Sequence, residues 1–131
     1  HQIINGEKTS AVTLFEMDNG IDTGDSLYQE SFSLNGDLKN IFKKIVKIGF
    51  KGVCKILEGN YDIKKQEEAN ATFFKRRTEG MSEIDIDDLK NYTAEELHNK
   101  VRALQNPYPN AFIKCKNGTK LIIKKTQIGL I

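Results

Sequence analysis

Apolar and polar residues alternate over two short stretches in the first third of the chain. Val12, Leu14 and the run 15–17 predict a central strand. The stretch from Ser26 to Leu34 alternates more loosely and predicts an antiparallel partner strand. The residues that join them read M-D-N-G-I-D-T-G-D, and this string holds three carboxylates and two glycines. A sharp turn between the two strands is therefore expected.

Beyond the second strand, the spacing of apolar residues changes to steps of three and four. This spacing predicts one amphipathic helix that begins near Leu38, covers the sheet and ends near 58–60. The positions expected in its core-facing stripe are Leu38, Ile41, Phe42, Ile45, Ile48, Val53, Ile56 and Leu57. A polar, charge-rich stretch at 61–70 follows and predicts a linker to a second unit.

The last forty residues carry the local signals of a helix and a hairpin. Thr93 and Glu96 have the spacing of a capping box, which predicts the start of a helix over 93–105. The pair Asn117-Gly118 lies between two apolar runs and predicts a β-hairpin over 111–127.

Composition narrows the classes of protein that this sequence fits. The 131 residues include 20 basic and 18 acidic side chains, for a net charge of +2. This near balance argues against a dedicated nucleic-acid binder, and no apolar run approaches membrane-spanning length. Cys54 and Cys115 have no C-x-x-C partner and are expected to be reduced thiols. A cytoplasmic protein that does not bind a membrane is predicted.

Asp22 is the candidate catalytic residue, because it lies between Gly20 and Gly24 in the predicted turn. Glycines allow backbone angles closed to other residues, so the turn could aim the Asp22 carboxylate into a cleft as a general base. The alternative is that this string only connects two strands or contacts a cation, since Asp and Gly are common turn formers.

Three stretches resemble one enzyme family: I-I-N-G-E at 3–7, A-V-T-L at 11–14 and M-D-N-G-I-D-T-G-D at 17–25. They are similar to the second half of the catalytic domain of formyltransferases that use 10-formyltetrahydrofolate. In that family the second of the three aspartates is catalytic, and it corresponds to Asp22. The resemblance also implies that Asp25 contacts the substrate. It further implies that Gly20, Ile21 and Thr23 bind 10-formyltetrahydrofolate, with no metal in the site.

The resemblance implies an α/β fold in two parts. Residues 1–60 would be the C-terminal half of a Rossmann-like formyltransferase domain. Residues 61–131 would be a small α+β subdomain, barrel-like, with the helix and hairpin. The strings L-H-N-K-V-R-A at 97–103 and P-Y-P-N-A-F at 107–112 are similar to the family's L-x-N-x-x-R-A and P-x-P-G-A-F, with Asn110 in place of Gly.

The string A-T-F-F-K-R-R-T at 71–78 resembles the R-R-x-P-E-D-x-x-I-D-W segment of sugar N-formyltransferases, although the Pro and the Trp are missing. Arg76 and Arg77 would then clamp the diphosphate of a nucleotide-linked amino sugar. A solvated surface pair is the alternative reading of two adjacent arginines. The methionyl-tRNA formyltransferases tend to carry a Lys-rich version of this segment.

The predicted function is transfer of a formyl group from 10-formyltetrahydrofolate to a primary amine, on a nucleotide-linked amino sugar. The alternatives are a methionyl-tRNA formyltransferase that acts on initiator methionyl-tRNA, and a non-catalytic remnant or interaction module of the same scaffold. The family's oxyanion-stabilising Asn and His would lie in an N-terminal segment before His1. We therefore expect this stretch to be inactive alone, and a homodimer is left open.

Overall fold

The computed structural model describes residues 1–67 and 71–130. Three residues of the predicted linker, 68–70, lie outside this part. Along the chain the elements are β1 (Thr9–Phe15), β2 (Ser26–Ser33), α1 (Leu38–Leu57), a 3-10 helix (Glu79–Ser82), α2 (Ile86–Asn91), α3 (Ala94–Ala103), β3 (Ala111–Lys114) and β4 (Lys120–Ile123). None of the described helices has the length and apolar content that crossing a membrane requires.

The elements fall into two compact units that interleave along the chain. The hairpin unit comprises Thr9–Asn35 and Lys39–Phe73, and it holds β1, β2 and nearly all of α1. The C-terminal unit comprises His1–Lys8, Gly36–Leu38 and Phe74–Ile131. The division of the chain into functional domains at residues 60 and 61 stays a prediction.

In the hairpin unit, β1 and β2 pair in antiparallel fashion from Thr9 opposite Ser33 to Leu14 opposite Tyr28. A register shift between Leu14 and Phe15 then bulges the end of β1, where the connecting loop begins. Among the described residues β1 pairs with β2 alone, so the expected central position of this strand is not seen. The Rossmann-like half and the barrel-like subdomain stay predictions.

Helix α1 lies close to this hairpin because residue 52 is glycine. A Cβ at Gly52 would be 2.4 Å from Cδ1 of Tyr28 and 2.7 Å from a methyl carbon of Leu14. A side chain at Gly52 would therefore force the helix or these two side chains to shift. The helix ends as the sequence predicts: Gly59 has φ 72°, and the N–H of Asn60 donates to the Lys55 carbonyl at 2.9 Å.

The prediction for the apolar face of α1 is wrong at two positions. Ile41 and Ile48 are buried as expected, but Val53 is 46% exposed and Leu57 is 82% exposed. The reason is that α1 carries a second stripe at the same helical spacing. This exposed stripe consists of Val46, Phe50, Val53 and Leu57.

The C-terminal unit has its own small core. The Thr93–Glu96 capping box is present, because Glu96 N–H donates to Thr93 Oγ1 at 3.2 Å and Thr93 N–H donates to Glu96 Oε2 at 2.7 Å. Four buried apolar side chains pack together in this core. They are Ile84 before α2, Val101 in α3, Leu104 directly after α3 and Ala111 in β3. The strands β3 and β4 form an antiparallel hairpin that ends at Ile123, before the predicted residue 127.

Candidate active site

The loop between β1 and β2 is closed tightly at its base. The N–H of Glu16 donates to the Asp25 carbonyl at 3.0 Å. Gly24 is buried, and a Cβ at this position would lie 1.7 Å from the Glu16 carbonyl oxygen. Only glycine fits there, since the two ends of the loop touch through their main chains.

Asp18 organises the middle of the loop. Its Oδ1 accepts a hydrogen bond from the Gly20 N–H at 2.9 Å and another from the Thr23 hydroxyl at 2.6 Å. These two donors, with the Thr23 hydroxyl first, hold the pKa of the Asp18 carboxyl below its ordinary value. Asp18 therefore shapes the turn as an ionised hydrogen-bond acceptor.

Asp22 adopts the left-handed backbone conformation that was expected of its glycine neighbours. Its φ is 59°, and it is the only non-glycine residue with positive φ in the part of the chain that the structure describes. The expectation that Gly20 and Gly24 supply such angles is wrong, since neither has φ in that region. Both glycines are needed for space instead: a Cβ at Gly20 would lie 2.0 Å from Thr23 Oγ1.

The segment after α1 returns to this loop, which the sequence analysis missed. Ser26 and Lys64 exchange two main-chain hydrogen bonds, both of 2.8 Å. Two residues later, Gln66 Nε2 donates to the carbonyl of Gly24 at 2.6 Å and to the carbonyl of Asp22 at 3.1 Å. A single glutamine in a polar stretch has no periodic signal, so no local pattern could have singled it out.

An open groove of about 1370 Å³ lies within the hairpin unit beside this loop. Its lining includes Ile21, Asp22 and Thr23 from the loop and Lys64 and Lys65 from the returning segment. The Asp22 side chain is exposed, and no described residue donates a hydrogen bond to its carboxylate. The carboxylate is thus open to a bound ligand.

The remaining candidate residues lie in different surroundings. Asp25 is half-buried, and its carbonyl closes the base of the loop. Arg76 and Arg77 belong to the C-terminal unit. Their exposure and hydrogen bonding differ. Arg77 is half-buried and donates from Nη2 to the Met81 carbonyl at 2.5 Å, whereas Arg76 is exposed. Their binding roles stay predictions, like that of Asp22.

Comparison with known proteins identifies the family. The model of the formyl transferase C-terminal domain matches residues 83–130. The methionyl-tRNA formyltransferase of Clostridium beijerinckii is 35% identical over an alignment of 134 positions. The alignment covers 96% of this chain and 41% of that protein. The chain belongs to the formyltransferase family. It spans about two fifths of the length of the curated relatives it matches.

Parts of solved formyltransferase structures share the fold of this chain. The methionyl-tRNA formyltransferase from Clostridium thermocellum is 30% identical with a TM-score of 0.75, over 93% of this chain and 58% of that chain. An N-formyltransferase from Helicobacter canadensis, solved with folinic acid and dTDP-3-aminofucose, is 27% identical with a TM-score of 0.59. That match covers 85% of this chain and 44% of the other. The predicted resemblance to the formyltransferases is confirmed.

Proposed function

We propose that the protein carrying this chain transfers a formyl group from 10-formyltetrahydrofolate to a primary amine, with Asp22 as the general base. The observation that carries the proposal is the left-handed backbone of Asp22 at the edge of a groove. Backbone strain of this kind costs of order 1–3 kcal/mol and collects at functional sites. Family membership supplies the reaction class.

The proposed reaction requires a general base beside the amine. A substrate ammonium has no lone pair, so the nitrogen must lose a proton before or during attack on the formyl carbon. An exposed carboxylate on the groove can take that proton directly or through one water, and such catalysis contributes about 10²- to 10⁴-fold. No described residue competes for the Asp22 carboxylate.

The loop also offers a surface for the folate. Ile21 lines the groove and is 89% exposed, so it presents an apolar side chain to a ring. Gly20, the preceding residue, is also exposed. The Thr23 hydroxyl is committed to Asp18, so Thr23 would contribute through its main chain. The groove exceeds the ~300–1,000 Å³ typical of small-molecule sites, which leaves room for folate and acceptor. Bound 10-formyltetrahydrofolate supplies the formyl group.

The acceptor we propose is a nucleotide-linked amino sugar, and Asp25 and the exposed Arg76 are the residues we propose to bind it. Arg77 is a weaker candidate for the diphosphate, because one of its donors is engaged by Met81. Initiator methionyl-tRNA is the second candidate, since the 35% identical relative is a methionyl-tRNA formyltransferase. In either case residues 1–60 would belong to the Rossmann-like catalytic domain and residues 61–131 to the C-terminal subdomain of a cytoplasmic enzyme.

The test is a formylation assay of the full-length natural protein with 10-formyltetrahydrofolate and a panel of acceptors. The panel holds methionyl-tRNA and several nucleotide-linked amino sugars. Asp22→Asn, which keeps a residue that tolerates left-handed angles, should lower turnover by about 10²- to 10⁴-fold while the protein still folds. The matched control is Asp87→Asn, which neutralises an exposed carboxylate on α2 and should leave turnover unchanged.

Near-normal turnover of Asp22→Asn would refute the role of Asp22. Formylation of methionyl-tRNA alone would replace the sugar by the tRNA. A folded wild-type protein that formylates none of the acceptors would favour the non-catalytic remnant.

A further inference from the structure

Gln66 makes the most direct contact between the returning segment and the candidate base. Its side-chain amide nitrogen donates to two main-chain oxygens, those of Asp22 at 3.1 Å and Gly24 at 2.6 Å. These oxygens converge on one NH₂ group from either side of Thr23. An amide with two hydrogens suits this geometry, because each hydrogen can serve one carbonyl.

The two bonds act on the part of the loop whose conformation is unfavourable. A left-handed angle at a non-glycine residue persists only where the surroundings over-determine it. The base contact between Glu16 and Asp25 and the Asp18 bonds fix the loop on either side of residue 22. Gln66 adds a side-chain hydrogen bond to the main chain of Asp22 itself.

Gln66 is itself anchored next to the loop. The two bonds between Ser26 and Lys64 fasten the main chain two residues before Gln66 to the first residue of β2. The carboxamide therefore reaches the loop from a position defined by the hairpin. Gln66 makes these bonds although 42 and 44 residues separate it from Gly24 and Asp22.

We propose that Gln66 is a positioning residue: it holds the main chain of Asp22 in the left-handed conformation and so fixes where the catalytic carboxylate meets the amine. This inference rests on the proposed role of Asp22. It makes the segment after α1 part of the site rather than a connection. Gln66 also lines the groove, but its proposed role is exerted through Asp22, so its loss should lower kcat and leave KM nearly unchanged.

The experiment is a double-mutant cycle in the full-length natural protein, using formyl transfer to the acceptor found active. Gln66→Met removes the donor at similar size, and Gln66→Glu keeps the shape but turns a carboxylate toward two carbonyl oxygens. Gln66→Met should lower kcat by about 10- to 100-fold, with KM within about 3-fold of wild type, because misplacing a reacting group by 1 Å has this effect. Gln66→Glu should be at least as impaired.

The matched control is Gln127→Met, which removes the same amide from an exposed glutamine of the C-terminal unit that does not line the groove. It should leave kcat unchanged. In the Asp22→Asn background, Gln66→Met should bring no further loss, because a residue that acts through Asp22 has nothing left to position. Crystal structures of folded Gln66→Met should show Asp22 outside the left-handed region.

The outcomes separate the two proposals. Near-normal turnover of Asp22→Asn refutes the general base and, with it, the role of Gln66. A collapse of turnover in Asp22→Asn with normal kcat in Gln66→Met overturns only the positioning role. Independent, multiplicative losses in the double variant also overturn it, as does an unchanged left-handed Asp22 in the Gln66→Met structure.

Discussion

The two hairpin loops in the described part of the chain use the same side-chain chemistry but place their left-handed residue differently. In the β3–β4 loop, Asn117 Oδ1 accepts bonds from the Thr119 N–H at 3.2 Å and the Thr119 hydroxyl at 2.6 Å. Asp18 accepts an equivalent pair in the β1–β2 loop, from Gly20 and Thr23. Such Asx bonds favour a turn in both places.

The difference lies in which residue carries the positive φ. In the β3–β4 loop it is Gly118, with φ 78°, where a left-handed angle carries no steric penalty. In the β1–β2 loop it is Asp22, although glycines stand two residues away on both sides. Asp is one of the few residues besides glycine that adopt this conformation, and at position 22 it places an exposed carboxylate on the groove. The comparison therefore separates a turning loop from one that presents a side chain.

We expect the largest effect on the β1–β2 loop from the substitution Gly24→Ala. The new Cβ would lie 1.7 Å from the Glu16 carbonyl oxygen, so the base of the loop has to open. We expect a loss of about 1–3 kcal/mol or more in the free energy of unfolding, and at least a tenfold loss of turnover in the full-length protein. Denaturant unfolding and the formylation assay measure the two effects.

Gly49→Ala provides the control for Gly24→Ala. A Cβ at Gly49 meets no atom within 4 Å, and the residue lies inside α1. Alanine there should raise the free energy of unfolding by roughly 0.5–1 kcal/mol and leave turnover unchanged. Equal behaviour of the two variants would contradict the close contact at Gly24.

A smaller effect is expected from Gly118→Ala in the turning loop. No atom lies within 4 Å of the new Cβ, so only the left-handed angle is penalised, by about 1–2 kcal/mol. Gly118→Asn should lose less, because Asn tolerates this conformation better than Ala does. Both variants should keep full turnover. A loss of turnover in Gly118→Ala would show that the β3–β4 loop also has a functional role.

The smallest effect concerns pH. The Thr23 hydroxyl and the Gly20 N–H hold the pKa of Asp18 below its ordinary value of 3.8. A lowered folded-state pKa stabilises the fold above the unfolded-state pKa, and this contribution disappears as the pH falls through the folded-state pKa. Thr23→Val should therefore raise the pKa of Asp18 toward its ordinary value.

The variant should also lose less stability than wild type on acidification from neutral pH to below 3.8, because part of this contribution is already gone. An NMR titration of the Asp18 carboxyl carbon and urea unfolding at neutral and acid pH test this. An identical titration curve in both proteins would show that Thr23 does not act on Asp18.

Local signals explain which parts of the structure the sequence could predict. The capping box at Thr93 and the helix end at Gly59 depend on neighbouring residues, and both are present. The strand β1 also forms, although its burial alternates only over its first four residues. The periodicity of α1 was correct, but it fits two stripes, so Val53 and Leu57 were assigned to the wrong one. Spacing along a helix shows that a stripe exists and does not show what covers it.

The candidate site depends on contacts that spacing cannot reveal. The aspartates of the loop were found from the turn pattern and from family resemblance, whereas the left-handed angle of Asp22 and the space limits at Gly24 are properties of the folded main chain. Gln66 meets Asp22 across 44 residues of sequence. A polar stretch that looks like a linker can therefore contact a candidate site when main-chain hydrogen bonds, here between Ser26 and Lys64, hold it beside the loop.

The exposed stripe of α1 has a thermodynamic consequence. Val46, Phe50 and Leu57 are already 71%, 72% and 82% exposed in the folded chain, and Val53 is 46% exposed. Unfolding therefore brings little additional hydrocarbon of the first three side chains into water. Because the heat-capacity increment and the denaturant m-value grow with newly exposed surface, these three side chains contribute little to either quantity.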